Sequence, residues 1–578
     1  MKLPLRTFHL IAIILLTSLV YSNIFQNDFV WDDFDFIVNW EETRSLKNMP
    51  LFLKGAVPTN HEGVYRPLRG VFYALSYQLW GLNQVGYHLQ SILIHLTCTL
   101  LVYLITLQIT KKNIIAFMCS LVFGVHPIHI EAVTFMTSTF DTIGIIFFLA
   151  SFYLYIKSDF AKNKSIQFAS LLFALLAFFT YELTLTLPLL LVLYDFCFKR
   201  INKKNAIERI KLYIPYFIAI IIYFSIRVSI VHTSMRGDYL AGSFYITMLL
   251  MTKAFLKYIS LVAFPVGLSV DHTISKGISS FRIYAPTEVL LSQSIFNPDI
   301  LFSIAVLICL LVVAVKSFKK YPIISFCIGW FFIALGPVSN IIPQYMLLAE
   351  KYLYIPSFGF CLLFSSIIYY IYNIRMDNKK MMKYVRIASV VLFAFTVLSY
   401  SALTVSRNND WENEFVLWSR AVETSPESIS SHNNLGLIYH DNGKINLAIE
   451  EYMKIIELNP GSFEAFYNLA DAYYSQDKID LAIEQYKNAL EINPKYAPAH
   501  YNLGNAYRKQ EKLSFAMAEY RRAIQLEPSH ANAHNNLGIT YYLLDEVDLA
   551  IEHFKKALAI EPEHKSAYNN LNKALGDS

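Results

Sequence analysis

The sequence contains few charged residues, because only 16% of its 578 residues are Asp, Glu, Lys or Arg, whereas 55% are apolar and 15% are aromatic. A soluble globular protein needs more charge than this at its surface, and the mean hydropathy of +0.38 is also too high for that class. We therefore expect a large part of the chain to lie in a lipid bilayer.

The chain also lacks a cysteine framework. Its six cysteines form no CxxC pair, show no zinc-ligand spacing and stand almost entirely inside apolar runs, so we expect small core residues. A cleavage site is missing as well: Lys2 and Arg6 precede an apolar run to about Ile24, but no small-x-small motif follows. This pattern predicts an uncleaved first span.

The apolar runs predict a polytopic helical domain. A helix needs about 20 mainly apolar residues to cross the hydrocarbon core, and a closed helix satisfies its own backbone there. Eleven spans are expected, near 8–25, 87–108, 113–127, 139–157, 166–182, 183–198, 211–231, 298–315, 322–338, 353–373 and 387–405.

Charge is distributed unevenly along the chain. Residues 1–406 carry 33 Lys and Arg against 19 Asp and Glu, whereas residues 407–578 carry 16 against 25. The basic residues cluster in short segments between apolar runs, which is typical of cytoplasmic membrane loops, and no nucleic-acid partner is expected. With eleven spans, the N-terminus lies in the cytoplasm and the C-terminus outside.

The segment 246–264 decides this topology. It is apolar, but Lys253 and Lys257 stand one helical turn apart near its middle, where charge is costly in a bilayer. We expect an amphipathic or re-entrant helix on the outer face. A twelfth span would instead place the C-terminal region in the cytoplasm.

The C-terminal region is repetitive. Proline recurs every 34 residues, at Pro426, Pro460, Pro494, Pro528 and Pro562, and the intervening positions recur with it. This period and pattern are those of tetratricopeptide (TPR) repeats, in which small residues let paired helices approach. We expect a membrane domain at 1–406, a degenerate half-repeat at 407–428, a capping helix at 565–578 and four repeats at 429–462, 463–496, 497–530 and 531–564.

Asparagine also recurs in these repeats, notably at Asn434, Asn468, Asn502 and Asn536. One interpretation is that the side chains line a concave groove and hydrogen-bond an extended peptide, and the other is that they are solvated surface. In both cases the array is expected to bind acceptor or partner proteins and has no catalytic constellation of its own.

The loop after the first span places Asp32, Asp33 and Asp35 among aromatic residues. Asp32 or Asp33 could cap a following helix. A carboxylate in an apolar surround is also what a general base needs, because burial and like charge raise its pKa. The sequence alone leaves both interpretations open.

Short motifs throughout the membrane half resemble the GT-C type of membrane glycosyltransferase, and in particular the TPR-containing transmembrane O-mannosyltransferase (TMTC-like) family. They are WDD at 31–33, YRPL at 65–68, GYHL at 86–89, HPIHIEAV at 126–133, YELTLTLP at 181–188, PVGLSVD at 265–271 and EKYLYIP at 350–356. The order of the motifs, with TPR repeats after them, makes the resemblance specific over nearly the whole chain.

This resemblance implies a fold class: an all-α, GT-C-like domain of about eleven spans followed by a TPR α-solenoid. It also implies an inverting enzyme that moves a sugar, mannose in that family, from a polyprenyl phosphate to Ser or Thr hydroxyls of proteins. The catalytic residues would be Asp32 and Asp33. Donor phosphate or sugar would be bound by Arg66, Arg69, His88, His129, Glu131, Glu182, Lys351 and Tyr352.

The sequence requires no cofactor. His126 and His129 beside Glu131 allow a divalent metal site to be proposed, but a histidine before proline at a helix end is more often packed and hydrogen-bonded. Arg227, at the end of a span, is expected to extend along the membrane towards water.

Two other functions stay open at this point. One is a lipid-linked glycan ligase, polymerase or oligosaccharyltransferase using the late outer stretch with His232, Arg236, His272 and Arg282, and the other is a non-catalytic TPR membrane scaffold. The expected partners are membrane lipids, a polyprenyl-phosphate sugar and proteins. A bacterial inner membrane, or the ER membrane of a eukaryote, is the expected location, with the repeats outside the cytoplasm.

Overall fold

The computed structural model describes residues 5–58, 65–158, 163–199, 201, 206–231, 238–275, 278–281 and 287–576. The chain divides into two compact units, one ending at Pro426 and the other covering the repeats from Glu427 onward. His232, Arg236 and Arg282 lie outside the described residues.

The first unit is helical apart from a two-stranded antiparallel hairpin, β1 (Thr273–Ser275) and β2 (Ile278–Ser279). Its helices are α1 (Leu5–Val20), α2 (Met49–Leu53), α3 (Pro67–Trp80), α4 (Gln84–Thr110), α5 (Asn113–Gly124), α6 (Ile130–Val133), α7 (Met136–Lys157), α8 (Lys164–Thr180), α9 (Leu187–Tyr194), α10 (Ala206–Val231), α11 (Phe244–Ala263), α12 (Thr287–Leu291), α13 (Pro298–Ser317), α14 (Pro322–Ala334), α15 (Ser357–Tyr372), α16 (Lys379–Asn408) and α17 (Glu414–Thr424).

Local sequence signals explain where several of these helices begin. The side chains of Asn83, Asn163 and Asn378 each accept a hydrogen bond from a backbone N–H in the first turn of α4, α8 and α16. Helices α3, α13 and α14 begin with proline, whose fixed φ suits the first helical position. The boundaries of the long helices are therefore set by residues next to the apolar runs.

Seven of the described helical segments are long and apolar enough to cross a membrane, and a bent pair made of Asn113–Gly124 and Pro127–Val133 is an eighth candidate. Six of the seven coincide with predicted spans. The remaining predicted spans correspond to the bent pair and to shorter helices, namely α8, α9, α14 and α15. The expected polytopic all-α domain is thus confirmed.

Helix α11 is the seventh, at the segment for which an outer-face helix was expected. Hydrogen bonds fix both ends of this helix. Tyr239 O–H, just before α11, donates to the Ile341 carbonyl, and at the other end of the helix the Tyr400 O–H donates to the Ala263 carbonyl. The sidedness of α11, and with it that of the repeats, stays a prediction.

The segment that carries Asp32, Asp33 and Asp35, here called the acidic loop, packs through an aromatic cluster against α3 and α7. We call the end of the first unit at which this loop lies the loop end. Phe36 stacks on Tyr73 at 5.6 Å between ring centroids, and Tyr73 packs against Phe140 at 4.0 Å. Trp40 and Phe52 complete the cluster. Phe36, Ile37 and Trp40 are therefore buried, so these residues fix the course of the loop over the helices.

The second unit consists of four helix pairs and a last helix, which lie in the predicted repeats. They are α18 (Ile429–Asp441), α19 (Ile445–Leu458), α20 (Phe463–Ser475), α21 (Ile479–Ile492), α22 (Ala497–Lys509), α23 (Leu513–Leu526), α24 (Ala531–Tyr542), α25 (Val547–Ile560) and α26 (Lys565–Gly576). Each pair is packed around an aromatic residue of the second helix, such as Tyr520.

The four asparagines have a role that neither interpretation of the sequence foresaw. The Asn468 amide donates to Asn433 in the preceding repeat, Asn502 donates to Tyr467 and Asp471, and Asn536 donates to Tyr501 and Asn505. Asn434 instead donates to the Ser430 carbonyl of its own helix. Three of the four thus join successive repeats.

The close approach within a repeat gives a stability prediction. A Cβ on Gly504 would lie 2.7 Å from Tyr520 Cε1, although the second repeat has Ala470 at the corresponding position. We expect Gly504→Leu to reduce the free energy of opening of α22 and α23 by about 1–3 kcal/mol, because overpacking forces the helices apart. Hydrogen exchange of the full-length protein would measure this. Gly504→Ala is the matched control, and equal protection in all three proteins would contradict the proposed tight packing.

Candidate active site at the loop end

Asp33 is fully buried, and its carboxylate ties the acidic loop to α7. The Val30 N–H donates to Oδ2 at 3.2 Å, and the Thr137 N–H donates to Oδ1 at 2.7 Å. Its side chain makes no capping hydrogen bond to the helical turn that follows at Phe34–Val38. The interpretation of Asp33 as a helix cap is therefore wrong, because the carboxylate bonds backwards and across to another helix.

Burial raises the pKa of Asp33 to about 7, although the hydrogen bonds from Thr137 and Val30 lower it and the neighbouring Asp32 charge raises it slightly. This value alone would suit a general base. Geometry points the other way, because both carboxylate oxygens already accept backbone hydrogen bonds. Asp33 thus has a pKa that suits a general base, but each of its two carboxylate oxygens already accepts a backbone hydrogen bond.

Asp32 is half-buried, and among the described residues its carboxylate has no hydrogen-bond or ion-pair partner. The residue before it, Trp31, has a φ of +53°, a left-handed conformation that costs a bulky residue about 1–2 kcal/mol. Its indole stacks on Phe135 at 5.5 Å. The residue directly before Asp32 is therefore fixed by its ring contact with Phe135.

Lys351 is a buried cation that contacts Glu131 and Trp31. Its Nζ lies 3.4 Å from Glu131 Oε1 and 5.7 Å from the centre of the Trp31 ring, and its backbone N–H donates to Glu131 Oε2 at 2.9 Å. Burial lowers the pKa of Lys351, but the charges of Glu131, Tyr352 and Asp32 outweigh that effect and raise it overall. The ammonium group is therefore charged, and the Asp32 charge contributes to its raised pKa.

Arg66 occupies the centre of a buried charge network. It makes a two-pronged pair with each of two carboxylates: Nε and Nη2 donate to Glu182 at 2.6 and 2.8 Å, and Nη1 donates to both oxygens of Asp141 at 2.8 and 2.9 Å. Arg69 Nε lies 3.4 Å from Asp141 Oδ1. Two cations and two anions thus balance in an apolar surround.

Asp141 was missed by the sequence interpretation. It stands inside the apolar run that predicted a span at 139–157, and that is the signal that could have identified it, since an ionisable residue in such a run is rarely without a role. The network also reaches the acidic loop, because the Arg69 Nη2 donates to the Thr137 carbonyl at 3.1 Å. The Thr137 N–H also donates to Asp33, so the acidic loop and the Arg66 network are both hydrogen-bonded to Thr137.

A cavity of about 320 Å³ opens beside this network, between the helical turn at Glu182–Thr186, α10 and the end of α14. Arg66, Glu182, Arg227 and Tyr352 give it a polar side. Its remaining wall is mainly apolar and includes Leu183, Leu185, Leu189, Ile220, Phe224, Ile333, Val338 and Ile342. Arg227 is buried against this cavity, so the expectation that it extends towards water is wrong.

The predicted histidines lie apart from this cavity. His88 is buried, with Nε2 3.0 Å from the Asn27 carbonyl, and His129 Nε2 lies 2.8 Å from Ser357 Oγ. His126 Nε2 lies 3.0 Å from the Val262 carbonyl, and its Nδ1 accepts from Ile128 N–H. These are the contacts of packed histidines. Within the described part of the chain, no three His, Cys, Asp or Glu side chains are placed to hold a metal ion.

His272, from the late stretch that favoured ligase chemistry, is also buried. Its Nε2 lies 2.8 Å from Glu350 Oε1, which accepts a further hydrogen bond from the Ser269 N–H at 2.6 Å. Glu350 therefore points towards the loop at 269–272, whereas the side chain of the adjacent Lys351 points towards Glu131.

Comparisons with known proteins identify the helix pairs of the second unit as TPR repeats. TPR repeat models match residues 436–477, 470–511 and 504–545, and a tetratricopeptide repeat model matches 531–564. Among solved structures, the protein MamA is 28% identical over 28% of this chain and 94% of its own, with a TM-score of 0.25.

Relatives extend over both units. The chain is 27% identical to the protein O-mannosyl-transferase F38B6.6 of Caenorhabditis elegans over 77% of this chain and 62% of that protein. It is 23% identical to Tmtc3 of Drosophila melanogaster (67% and 47%) and 24% identical to TMTC3 of Homo sapiens (68% and 44%). The chain thus spans about half the length of these curated relatives. Over most of its own length it resembles the TPR-containing transmembrane O-mannosyltransferase family, as the motifs predicted.

Proposed function

We propose that this protein is a membrane glycosyltransferase that moves a sugar from a polyprenyl-phosphate donor to Ser or Thr hydroxyls of proteins. The observation that carries this proposal is the cavity beside the Arg66 network, which combines charged groups with a long apolar wall. The network is joined to the loop of Asp32 through Thr137, which contacts both Arg69 and Asp33. Mannose is the proposed sugar because the relatives are named protein O-mannosyl-transferases.

The cavity suits a donor that is polar at one end and apolar at the other. Its volume of about 320 Å³ falls in the range of small-molecule sites. Both Arg66 and Glu182 line it, and Glu182 is the acidic residue on the cavity wall that we propose as the acceptor of hydrogen bonds from sugar hydroxyls. The prenyl chain would follow the aliphatic wall between α9 and α10, where Leu189 and Phe224 are partly exposed.

Of the two adjacent carboxylates, Asp32 is the proposed base. Asp33 is held by two backbone N–H groups, whereas Asp32 is half-buried and has its carboxylate free among the described residues. A general base must reach the proton that it abstracts, and geometry takes precedence over pKa in assigning that role. Asp33 is then the residue that fixes the loop carrying the base.

The reaction needs no covalent intermediate. Asp32 accepts the hydroxyl proton while the acceptor oxygen forms a bond to the anomeric carbon, and the bond from that carbon to the phosphate oxygen breaks. The polyprenyl phosphate leaves with the electron pair, so negative charge grows on its bridging oxygen. Arg227 on the cavity wall and Lys351 beside Asp32 are the cations placed to stabilise this charge.

Arg66 and Arg69 have a different proposed task. Because the Arg66 guanidinium already bonds both Asp141 and Glu182, its proposed role is to orient Glu182 towards the sugar rather than to neutralise the phosphate.

The TPR repeats, which are protein-binding modules in general, are proposed to hold acceptor or partner proteins. Their location outside the cytoplasm would give them access to the same compartment as Asp32.

The base assignment can be tested by transfer kinetics. We expect Asp32→Asn to lower kcat by roughly 10²–10⁴-fold with little change in the KM for donor, since the variant keeps the shape of the site and loses the proton acceptor. Mass spectrometry of Ser/Thr peptides incubated with polyprenyl-phosphate sugars, supplied one at a time with and without EDTA, measures transfer. Asp35→Asn, in the same loop, is the control. Full activity of Asp32→Asn would refute the assignment.

The donor cavity can be tested on α10. Phe224 lines the cavity, whereas Phe217 is similarly exposed on the same helix and does not. We expect Phe224→Ser to raise the KM for a long-chain donor by roughly three- to tenfold, because part of the apolar contact is lost. The effect should shrink with a short-prenyl donor. An equal rise in KM for Phe217→Ser would argue against a prenyl chain at this wall.

The burial of Asp33 predicts a pH-dependent stability. Because its pKa is raised to about 7 from an ordinary 3.8, the folded protein binds the proton more tightly than the unfolded chain. This contribution therefore favours folding at low pH and is lost as pH rises from about 4 to 7. In detergent, we expect the thermal midpoint of wild type to fall relative to that of Asp33→Asn as pH rises from about 4 to 7. A constant difference would show that Asp33 does not titrate there.

A further inference from the structure

The segment 412–418, which the sequence groups with the repeats, makes direct contact with the acidic loop inside the first unit. The Asp28 N–H donates to the Glu412 carbonyl at 2.8 Å, and the Trp31 N–H donates to Glu414 Oε1 at 3.1 Å. The Trp418 ring packs edge-on against the Trp31 ring, at 5.7 Å between centroids. The loop is therefore held from the C-terminal side as well as from α7.

Glu414 and Trp418 act from one face of α17. They are four residues apart, so their side chains lie above one another on the helix. Asn413 fixes where this helix begins, because its side chain accepts a hydrogen bond from Val416 N–H at 3.0 Å. The carboxylate that binds Trp31 is thus presented by the first turn of a defined helix.

The other end of α17 is anchored to the same unit. Ser425 Oγ donates to the Asp271 carbonyl at 2.7 Å, and Thr424 Oγ1 donates to Ser269 Oγ at 2.9 Å. Upstream, the Asn27 amide donates to the Asn408 carbonyl at 2.9 Å. Because both ends of α17 are fixed, Glu414 has a set position relative to the loop.

The backbone of Trp31 needs such support. A tryptophan in the left-handed region persists only where its surroundings hold it, and Trp31 directly precedes Asp32. On the other side of Asp32, Asp33 is fixed by Val30 and Thr137. The backbone on the two sides of Asp32 is therefore held by two anchors, of which Glu414 supplies one.

From these contacts we infer that Glu414 is a positioning residue for Asp32, so that the segment before the first repeat completes the active site. This inference rests on the proposed function, since it gives Glu414 a role in the reaction assigned to Asp32. Glu414 does not touch the substrate. It holds the Trp31 N–H and thereby the conformation that aims the neighbouring carboxylate.

The test compares three variants of the full-length protein. Glu414→Ala should lower kcat at least tenfold with the KM for donor unchanged, because the base is misplaced while the donor cavity is intact. Glu414→Gln keeps an oxygen that accepts from Trp31 N–H and should recover at least a third of the wild-type kcat. Glu423→Ala is the control, since Glu423 lies on the same helix, is exposed and pairs only with Arg420 among the contacts described.

Hydrogen exchange of the loop peptide gives a readout that does not depend on activity. Glu414→Ala should speed exchange at Trp31 relative to wild type and Glu414→Gln. If wild type transfers sugar and Glu414→Ala keeps its kcat, or if kcat falls equally in Glu414→Gln and Glu414→Ala, the positioning role is overturned. If wild type transfers no sugar while exchange changes as expected, the proposed function fails and the contact itself stands.

Discussion

The pairing of Arg66 with Asp141 and Glu182 is the interaction on which the loop end depends. These charges are buried among apolar side chains, so each is stable there only while its partners are in place. The three residues come from the start of α3, from α7 and from the turn before α9. Their pairing therefore fixes three distant segments relative to one another and places Arg66 and Glu182 on the wall of the cavity.

Much of the architecture follows from local sequence patterns. Apolar runs of sufficient length predicted the long helices, and the 34-residue period predicted the helix pairs at 429–564, because both depend on residues close together in the chain. Neighbouring asparagines mark where α4, α8 and α16 begin. Such features need no knowledge of the tertiary structure.

The site required information that the sequence does not hold locally. Asp32 and Asp33 are identical in type and adjacent, and the bond of Asp33 to the Thr137 N–H, over 100 residues later, distinguishes them. Asp141 stands out in its apolar run, but only the folded chain shows that Arg66 is its partner. The repeat asparagines were assigned to a groove or to solvent because their partners lie one repeat away. In each case a long-range contact determines the role.

Residues 407–426 also change how the chain can be divided. A boundary drawn from sequence falls near residue 406, where the last apolar run ends, but the structural unit continues through α17 to Pro426. A chimera that grafts a foreign repeat array after residue 406 would remove the contacts of Glu412 and Glu414 with the acidic loop, whereas a junction after Pro426 would retain them. A junction that leaves the first unit intact is therefore confined to the short stretch between α17 and α18.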